Sequence, residues 1–157
     1  MANLAGCAAE LPAATQCGHC EQWATPQRAG QGSQTSQEII EGYLVLPEHL
    51  HCIWTLPAGD ADYMNRWRLI KTWFTKHCDP VLRGAGVWQK RYWEHVLRDE
   101  HDYARHVDYI HYNPVKHGLV ASVGDWSYSS FERFVKAGVY PPDWGSEGMV
   151  FEVVGDE

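Results

Sequence analysis

The chain has 157 residues, of which 45% are hydrophobic and 13% aromatic, so it predicts one folded domain and excludes an intrinsically disordered chain. No apolar run approaches the roughly 20 residues that span a bilayer, and no secretory signal opens the sequence, so we expect a cytoplasmic protein. Five cysteines without a secretory context indicate reduced thiols.

The net charge of −7 argues against a nucleic-acid partner, but the charge is unevenly distributed. Residues 66–116 contain ten Lys or Arg against six Asp or Glu, whereas the rest of the chain is strongly acidic. A basic segment inside an acidic protein can still focus a local positive field on a nucleic acid. An ordinary solvated face is the alternative interpretation.

Residues 1–38 differ from the rest of the chain, because Ala, Gly, Gln, Ser and Thr dominate and neither strand nor helix periodicity is evident. They predict a poorly ordered leader. Within it, Cys17-Gly18-His19-Cys20 has the spacing of a dithiol redox motif. Such a motif works at a helix N-terminus that follows a strand, and neither is predicted here. We interpret the spacing as chance.

Two strands are predicted next, at 39–46 and 49–56, both rich in β-branched and aromatic residues. A turn then leads into a helix over about 61–77. Its apolar residues recur at helical spacing and predict the buried stripe, which comprises Tyr63, Trp67, Ile70 and Phe74.

The second half of the chain predicts a strand within 87–97 and a helix over about 99–112 that is closed by Pro114 and Gly118. A short helix to about residue 136 follows. We place the folded domain at residues 39–145 and an acidic tail at 146–157.

The second strand carries the first candidate site. Successive strand side chains alternate between the two faces, so His49 and His51 project to the same side, about 7 Å apart along the backbone. Two imidazoles at this separation can share one divalent cation. The pair needs further ligands from another element.

The helix over 99–112 supplies candidates for those ligands. Asp102, His106, Tyr109 and Asn113 follow one another at intervals of four, three and four residues, which places them along one face. Two imidazoles and an amide oxygen would hold a divalent cation with positions open for a phosphate, and Tyr109 would lie beside it as a nucleophile. The alternatives are a hydrolase that uses a metal-bound water, or a purely structural role for these side chains.

Three stretches, in this order, resemble REP-associated tyrosine transposases, which belong with the single-tyrosine HUH transposases of small bacterial insertion sequences. They are Leu44–Pro57, Trp88–His95 and His106–Val120. The resemblance implies an α+β fold with a ferredoxin-like antiparallel sheet and helices packed on it. It also implies metal-dependent cleavage and rejoining of single-stranded DNA hairpins through a 5′-phosphotyrosine, and thus DNA transposition.

The resemblance assigns roles to residues by motif position. His49 and His51 match the HUH histidines, Tyr109 the nucleophile and Asn113 the third ligand of a Mg²⁺ or Mn²⁺ ion. Six basic residues are then candidates for DNA binding: Arg66, Arg68, Lys71, Lys90, Arg91 and Lys116. We expect a monomer that needs no nucleotide cofactor and no membrane.

One departure from the family concerns the N-terminus. Relatives begin with a strand and a helix that precede the strand leading into the HUH motif, and residues 1–38 predict neither. We therefore expect a sheet without this unit, as in a degraded or mis-started reading frame. Unpaired backbone groups in a buried neighbouring strand would cost roughly 1–3 kcal/mol each, so activity would suffer. An inactive remnant that only binds DNA hairpins is the alternative function.

Overall fold

The computed structural model describes residues 3–10, 39–47, 49–77, 88 and 93–146, with backbone alone for 3–10 and 39. Four antiparallel strands form one sheet in the order β2-β3-β1-β4. Their bounds are β1 Asn3–Glu10, β2 Ile39–Val45, β3 His49–Leu56 and β4 Trp93–Leu97. This strand order is that of the ferredoxin-like arrangement, so the predicted α+β fold class is confirmed.

The expectation of a missing N-terminal strand is wrong. β1 lies in the interior of the sheet, where it pairs antiparallel with β3 from Asn3↔Leu56 to Glu10↔His49 and with β4 from Leu4↔Leu97 to Ala8↔Trp93. The backbone groups of β3 and β4 that face β1 are therefore paired. The loss of stability that we expected from a missing strand does not arise here. Any helix in residues 11–38 lies outside the described residues, as do Cys17, Cys20 and the tail from 147.

One face of the sheet is covered by the helix α1, Tyr63–His77. Its buried residues Trp67 and Phe74 belong to the predicted stripe. Trp67 packs with Cys52, Trp54 and Leu56 of β3, which all point to this face. Cys52 is a buried free thiol, as expected of an apolar filler.

The opposite face is covered by the helix α2, Glu100–Lys116, which begins at the N-cap Asp99. Its residues Val107 and Ile110 pack with Leu44, Ile53 and other residues of the core on this side. Because Ile53 and His51 are two residues apart in β3, the histidine pair points to the face that α2 covers.

The prediction that α2 ends at about residue 112 and is closed by Pro114 is wrong by about one turn, whereas Gly118, the second predicted closing residue, does close the helix. Pro114 lies inside the helix, which continues to Lys116. A proline in the last turn removes one backbone donor and leaves the rest of the turn intact. The true end is a Schellman arrangement: Gly118, at φ 67°, donates to the Val115 carbonyl and Leu119 donates to the Pro114 carbonyl.

The C-terminal elements close over β2. A 3₁₀ helix at Val123–Asp125 is followed by α3, Phe131–Lys136. Trp126 donates its indole N–H to the Val45 carbonyl at 3.0 Å and so ties these elements to β2. Within the described ranges, no helix has both the length and the apolar character that crossing a bilayer would require.

His111 links α2 to α3 and gives a testable pH dependence. Its ring is fully buried, and its Nε2 lies 2.8 Å from the Ser130 hydroxyl. Burial, with a smaller effect of the Arg133 charge, lowers the pKa of His111 to about 3. Because the unfolded imidazole titrates near about 6.5, the unfolded state binds more protons between these values, and stability falls as the pH drops through this window.

We expect His111→Gln to flatten the pH dependence of the free energy of unfolding between about pH 6.5 and 4.5, a window above most carboxyl titrations. Urea unfolding at several pH values measures this. His101→Gln, at an exposed position of the same helix, is the control and should leave the slope unchanged. An unaltered slope in His111→Gln would contradict the assignment.

Candidate active site

The two histidines of β3 lie together beneath α2. The ring centroids of His49 and His51 are 4.9 Å apart, with the rings nearly perpendicular. His51 is buried, with 4% of its surface exposed, whereas His49 is partly exposed. The two imidazoles therefore lie close together in one small region.

Asn113 of α2 reaches the same region. Its Nδ2 lies 3.4 Å from His51 Nε2. The amide is fully buried, and its Oδ1 has no hydrogen-bond partner among the described residues. An unsatisfied buried oxygen costs roughly 1–3 kcal/mol, which a bound cation would offset. The donor set of two imidazoles and one amide oxygen thus fits a divalent metal ion.

Tyr109, one turn before Asn113, flanks the histidines. The centroid of its ring lies 5.8 Å from that of His51, and the rings meet edge to face. Tyr109 is half-buried, so part of this residue is open to solvent. The structure thus brings together four residues that the sequence predicted: His49, His51, Tyr109 and Asn113.

Two further residues join the site because α2 continues past Pro114. Lys116 Nζ donates to the Tyr109 hydroxyl at 3.3 Å and lies 4.7 Å from the centroid of that ring. The ring of His117 lies 5.4 Å from that of His49. From the sequence, Lys116 was predicted only as a DNA contact, and His117 was given no role. Lys116 and His117 follow Tyr109 by seven and eight residues, and this spacing was the signal from which the sequence could have placed them at the site.

The electrostatics of the site favour a neutral His51. Burial, followed by the positive potentials of His49, His117 and Lys116, lowers the pKa of His51 to about 3. At neutral pH this imidazole is uncharged, and one ring nitrogen keeps a lone pair for a cation.

The remaining candidates for DNA binding do not converge on the site. Arg66, Arg68 and Lys71 belong to α1, on the face of the sheet opposite the histidines. Arg66 pairs with Asp60 at 2.7 Å, and the Lys71 ammonium lies 5.5 Å from the centroid of the Trp88 ring. Lys90 and Arg91 lie outside the described residues. Lys116 alone among the described candidates contacts the site.

A second polar cluster lies at the start of α2. His95, Asp102 and His106 place their ligand atoms within 4.8 Å of one another, close enough for a metal ion. However, the two imidazoles are stacked with an interplanar angle of 11°, and a cation must lie near the plane of each ring that binds it. This ring geometry favours a hydrogen-bonded network over a metal site.

Hydrogen bonds hold this network in place. Asp102 lies 2.9 Å from His95 Nε2, and it accepts from the backbone N–H and the guanidinium of Arg98. Burial alone would raise the pKa of the Asp102 carboxyl, but the bonds from His95 and Arg98 outweigh it and hold this pKa well below its usual range. The carboxylate therefore stays charged and fixes the rings around it.

Comparison with known proteins identifies the family. The REP-associated tyrosine transposase of Escherichia coli strain K12 is 53% identical to this chain over 108 residues, which cover 69% of this chain and 63% of that protein. A Haemophilus influenzae relative is 50% identical over an alignment of 111 residues, and the match covers 64% of this chain and 63% of the relative. This chain thus spans under two thirds of both curated relatives. No protein-family model matches it.

A solved structure extends the likeness over nearly the whole chain. The structure of a REP-associated tyrosine transposase bound to a REP hairpin superposes with a TM-score of 0.76 at 37% identity, covering 98% of this chain and 93% of that one. Identity and coverage at this level show common descent as well as a common fold. The chain belongs to the REP-associated tyrosine transposases.

Proposed function

We propose that this protein cleaves and rejoins single-stranded DNA, with REP-type hairpins as substrate and Tyr109 as nucleophile. The observation that carries the proposal is the meeting of Tyr109 and Asn113 on α2 with the histidine pair of β3. Membership in a family of tyrosine transposases supports it, and the solved relative is bound to a REP hairpin. We infer DNA transposition as the overall process.

The residues of the site have two separate roles, metal binding and nucleophilic attack. His49, His51 and Asn113 would hold one divalent cation, Mg²⁺ or Mn²⁺, which would polarise the scissile phosphate and neutralise charge on its oxygens. The low pKa of His51 keeps this imidazole deprotonated for the task. Tyr109 then lies beside the phosphate as the attacking group.

Cleavage forms one covalent bond to phosphorus and breaks another. The Tyr109 oxygen attacks phosphorus, its proton passes to solvent, and the P–O3′ bond breaks as the departing oxygen takes up a proton. The products are a 5′-phosphotyrosine and a free 3′-hydroxyl. Because the phosphotyrosine keeps the energy of the phosphodiester, a 3′-hydroxyl can reverse the reaction without a nucleotide cofactor.

Lys116 assists at the phenol. Its ammonium donates to the Tyr109 oxygen, so it stabilises the negative charge that this oxygen carries when it attacks and when it leaves. The same side chain is exposed and can contact a neighbouring phosphate, in line with its predicted role in DNA binding.

Arg66, Arg68, Lys71, Lys90 and Arg91 stay candidates for more distant contacts with the DNA. We further propose that the protein acts in the cytoplasm, where its thiols remain reduced. We propose a monomer, in which one chain supplies both the histidine pair and the tyrosine.

The test is a covalent-adduct assay with labelled hairpin DNA that carries single-stranded flanks, with Mg²⁺ or Mn²⁺ and with EDTA. We expect a protein–DNA adduct that survives denaturation and that requires the metal. Retention of the DNA on a native gel without an adduct would contradict the proposal and favour a protein that only binds hairpins.

Replacing Lys116 with Gln should slow adduct formation by about 100-fold at saturating DNA, because a charged donor to the nucleophilic oxygen is lost. Single-turnover kinetics measure the rate. The matched control is Lys136→Gln on α3, since Lys136 is an exposed lysine that pairs with Glu132 away from the site. If the variant weakened DNA binding but kept the rate at saturation, Lys116 would be a binding residue alone.

A further inference from the structure

Trp93 is an exposed aromatic residue on the face of the sheet that carries the site. It is the first residue of β4, which forms one end of the sheet, and 45% of its surface is exposed. Exposure of so large an apolar ring is costly in water, and the reaction proposed above gives Trp93 no role. The position of Trp93 relative to the histidine pair suggests a role for it.

The strand register places Trp93 level with His51. Ala8 of β1 pairs with His51 on one side and with Trp93 on the other. Directly paired residues project to the same face, and two interstrand spacings amount to about 10 Å. His51, Ala8 and Trp93 thus form one row across three neighbouring strands. The row has an imidazole of the site at one end and an exposed indole at the other, with a small residue between them.

The ring of Trp93 packs against two imidazole rings. Its plane lies within 15° of the His95 ring at 5.6 Å and within 20° of the His106 ring at 6.0 Å. The two imidazoles are themselves stacked at 4.7 Å and held by the Asp102 carboxylate. Three nearly parallel rings, with centroids 4.7 to 6.0 Å apart, thus form one packed group in which Trp93 is the most exposed member.

An indole that packs against neighbouring rings and keeps 45% of its surface exposed is the kind of surface on which an unpaired nucleobase stacks. Stacked nucleotides rise by about 3.4 Å along a strand, so 10 Å corresponds to about three nucleotides at most. A base close to the scissile phosphate is therefore within reach. The exposed guanidinium of Arg98, which contacts Asp102 at 3.2 Å, adds a positive charge beside the stack.

We infer that Trp93, backed by His95 and His106, is a stacking site for one unpaired nucleobase that flanks the cleaved phosphate. The inference rests on the proposed function, since it assumes single-stranded DNA in the site. It adds a base-binding position to that function and gives the imidazole–carboxylate network a role in holding Trp93.

The first test measures binding of two DNAs, a hairpin with single-stranded flanks and the same hairpin without them. We expect Trp93→Ala to weaken binding of the flanked hairpin by about 5- to 150-fold and to leave the flankless hairpin unaffected, while Trp93→Phe keeps most of the affinity. Trp73→Ala is the matched control, because Trp73 also stacks on a histidine, His77, but lies on α1 across the sheet. Equal binding by Trp93→Ala and the parent would overturn the inference.

A second test removes bases from the DNA, and its scan of the parent protein does not depend on how a variant folds. Abasic sites are placed one at a time along the flanks. We expect one position at which loss of the base weakens binding as much as Trp93→Ala does, with no further loss in the variant. Uniform sensitivity along the flank would overturn the inference. Adduct formation, measured separately, distinguishes this failure from failure of the proposed cleavage.

Discussion

Replacing Tyr109 with Phe should abolish the covalent protein–DNA adduct and leave hairpin binding nearly unchanged. The substitution removes the only atom of this side chain that can bond to phosphorus, and it keeps the ring that packs edge to face on His51. It also removes the acceptor of the Lys116 ammonium, which is an exposed contact and costs little stability. Denaturing gels of labelled hairpin incubated with Mn²⁺ measure the adduct.

The neighbouring tyrosine on α2 provides the control. Tyr112 is half-buried and packs against the core on the α2 side of the sheet, so Tyr112→Phe should still form the adduct. If Tyr109→Phe formed an adduct at the parent rate, the nucleophile would be another residue. If it cut DNA at the parent rate without an adduct, the chemistry would be hydrolysis by water.

Replacing Asn113 with Ala should lower the rate of adduct formation by at least about 100-fold at a fixed Mn²⁺ concentration, and it should raise the concentration of metal that is required. Losses of 10- to 100-fold are typical when groups that only support metal ligands are removed, and a ligand itself is worth more. Asn113 Oδ1 has no hydrogen-bond partner among the described residues, so its removal leaves no donor of the described protein unsatisfied. The substitution also removes the contact of Asn113 Nδ2 with His51 Nε2, which at 3.4 Å is long for a hydrogen bond.

The effect on metal binding can be separated from the effect on stability. Calorimetric titration with Mn²⁺ should give one site in the parent protein and weak or no binding in Asn113→Ala, while thermal unfolding without metal stays close to the parent. His101→Ala, at an exposed position of the same helix, is the control and should bind metal normally. Parent-like metal binding by Asn113→Ala would remove this residue from the ligand set.

Local periodicity was enough to predict the elements that hold the site. Strand alternation placed His49 and His51 on one side of β3, and helical spacing placed Tyr109 and Asn113 on one side of α2. These patterns arise from backbone geometry alone, so they survive folding unchanged. The bounds of β3 and of α1 differ from the prediction by at most two residues for the same reason.

The predictions that failed depend on contacts between distant parts of the chain. β1 reads Asn-Leu-Ala-Gly-Cys-Ala-Ala-Glu and has no β-branched or aromatic residue, so its own propensity does not indicate a strand. Pairing with two neighbours, β3 and β4, outweighs that propensity. The end of α2, in contrast, is set locally: of the two residues that the sequence indicated, the turn at Gly118 and not Pro114 decides where the helix ends.

The extra turn of α2 matters for function as well as for the fold. It places Lys116 against the Tyr109 hydroxyl and His117 against His49. A helix that stopped before Pro114 would leave the phenol without this charged donor. The pairing of Trp93 with the row of His51 is likewise a property of the register of β1, which no local pattern in the sequence predicts.

The most direct test of the account is to locate the DNA on the protein. The adduct is formed with a flanked hairpin and Mn²⁺, both components are digested, and tandem mass spectrometry identifies the modified residue. We expect a 5′-phosphonucleotide on Tyr109 and a free 3′-hydroxyl on the released DNA. A nucleotide found on Tyr103, Tyr112 or any residue outside the site, or linked through its 3′ end, would contradict it.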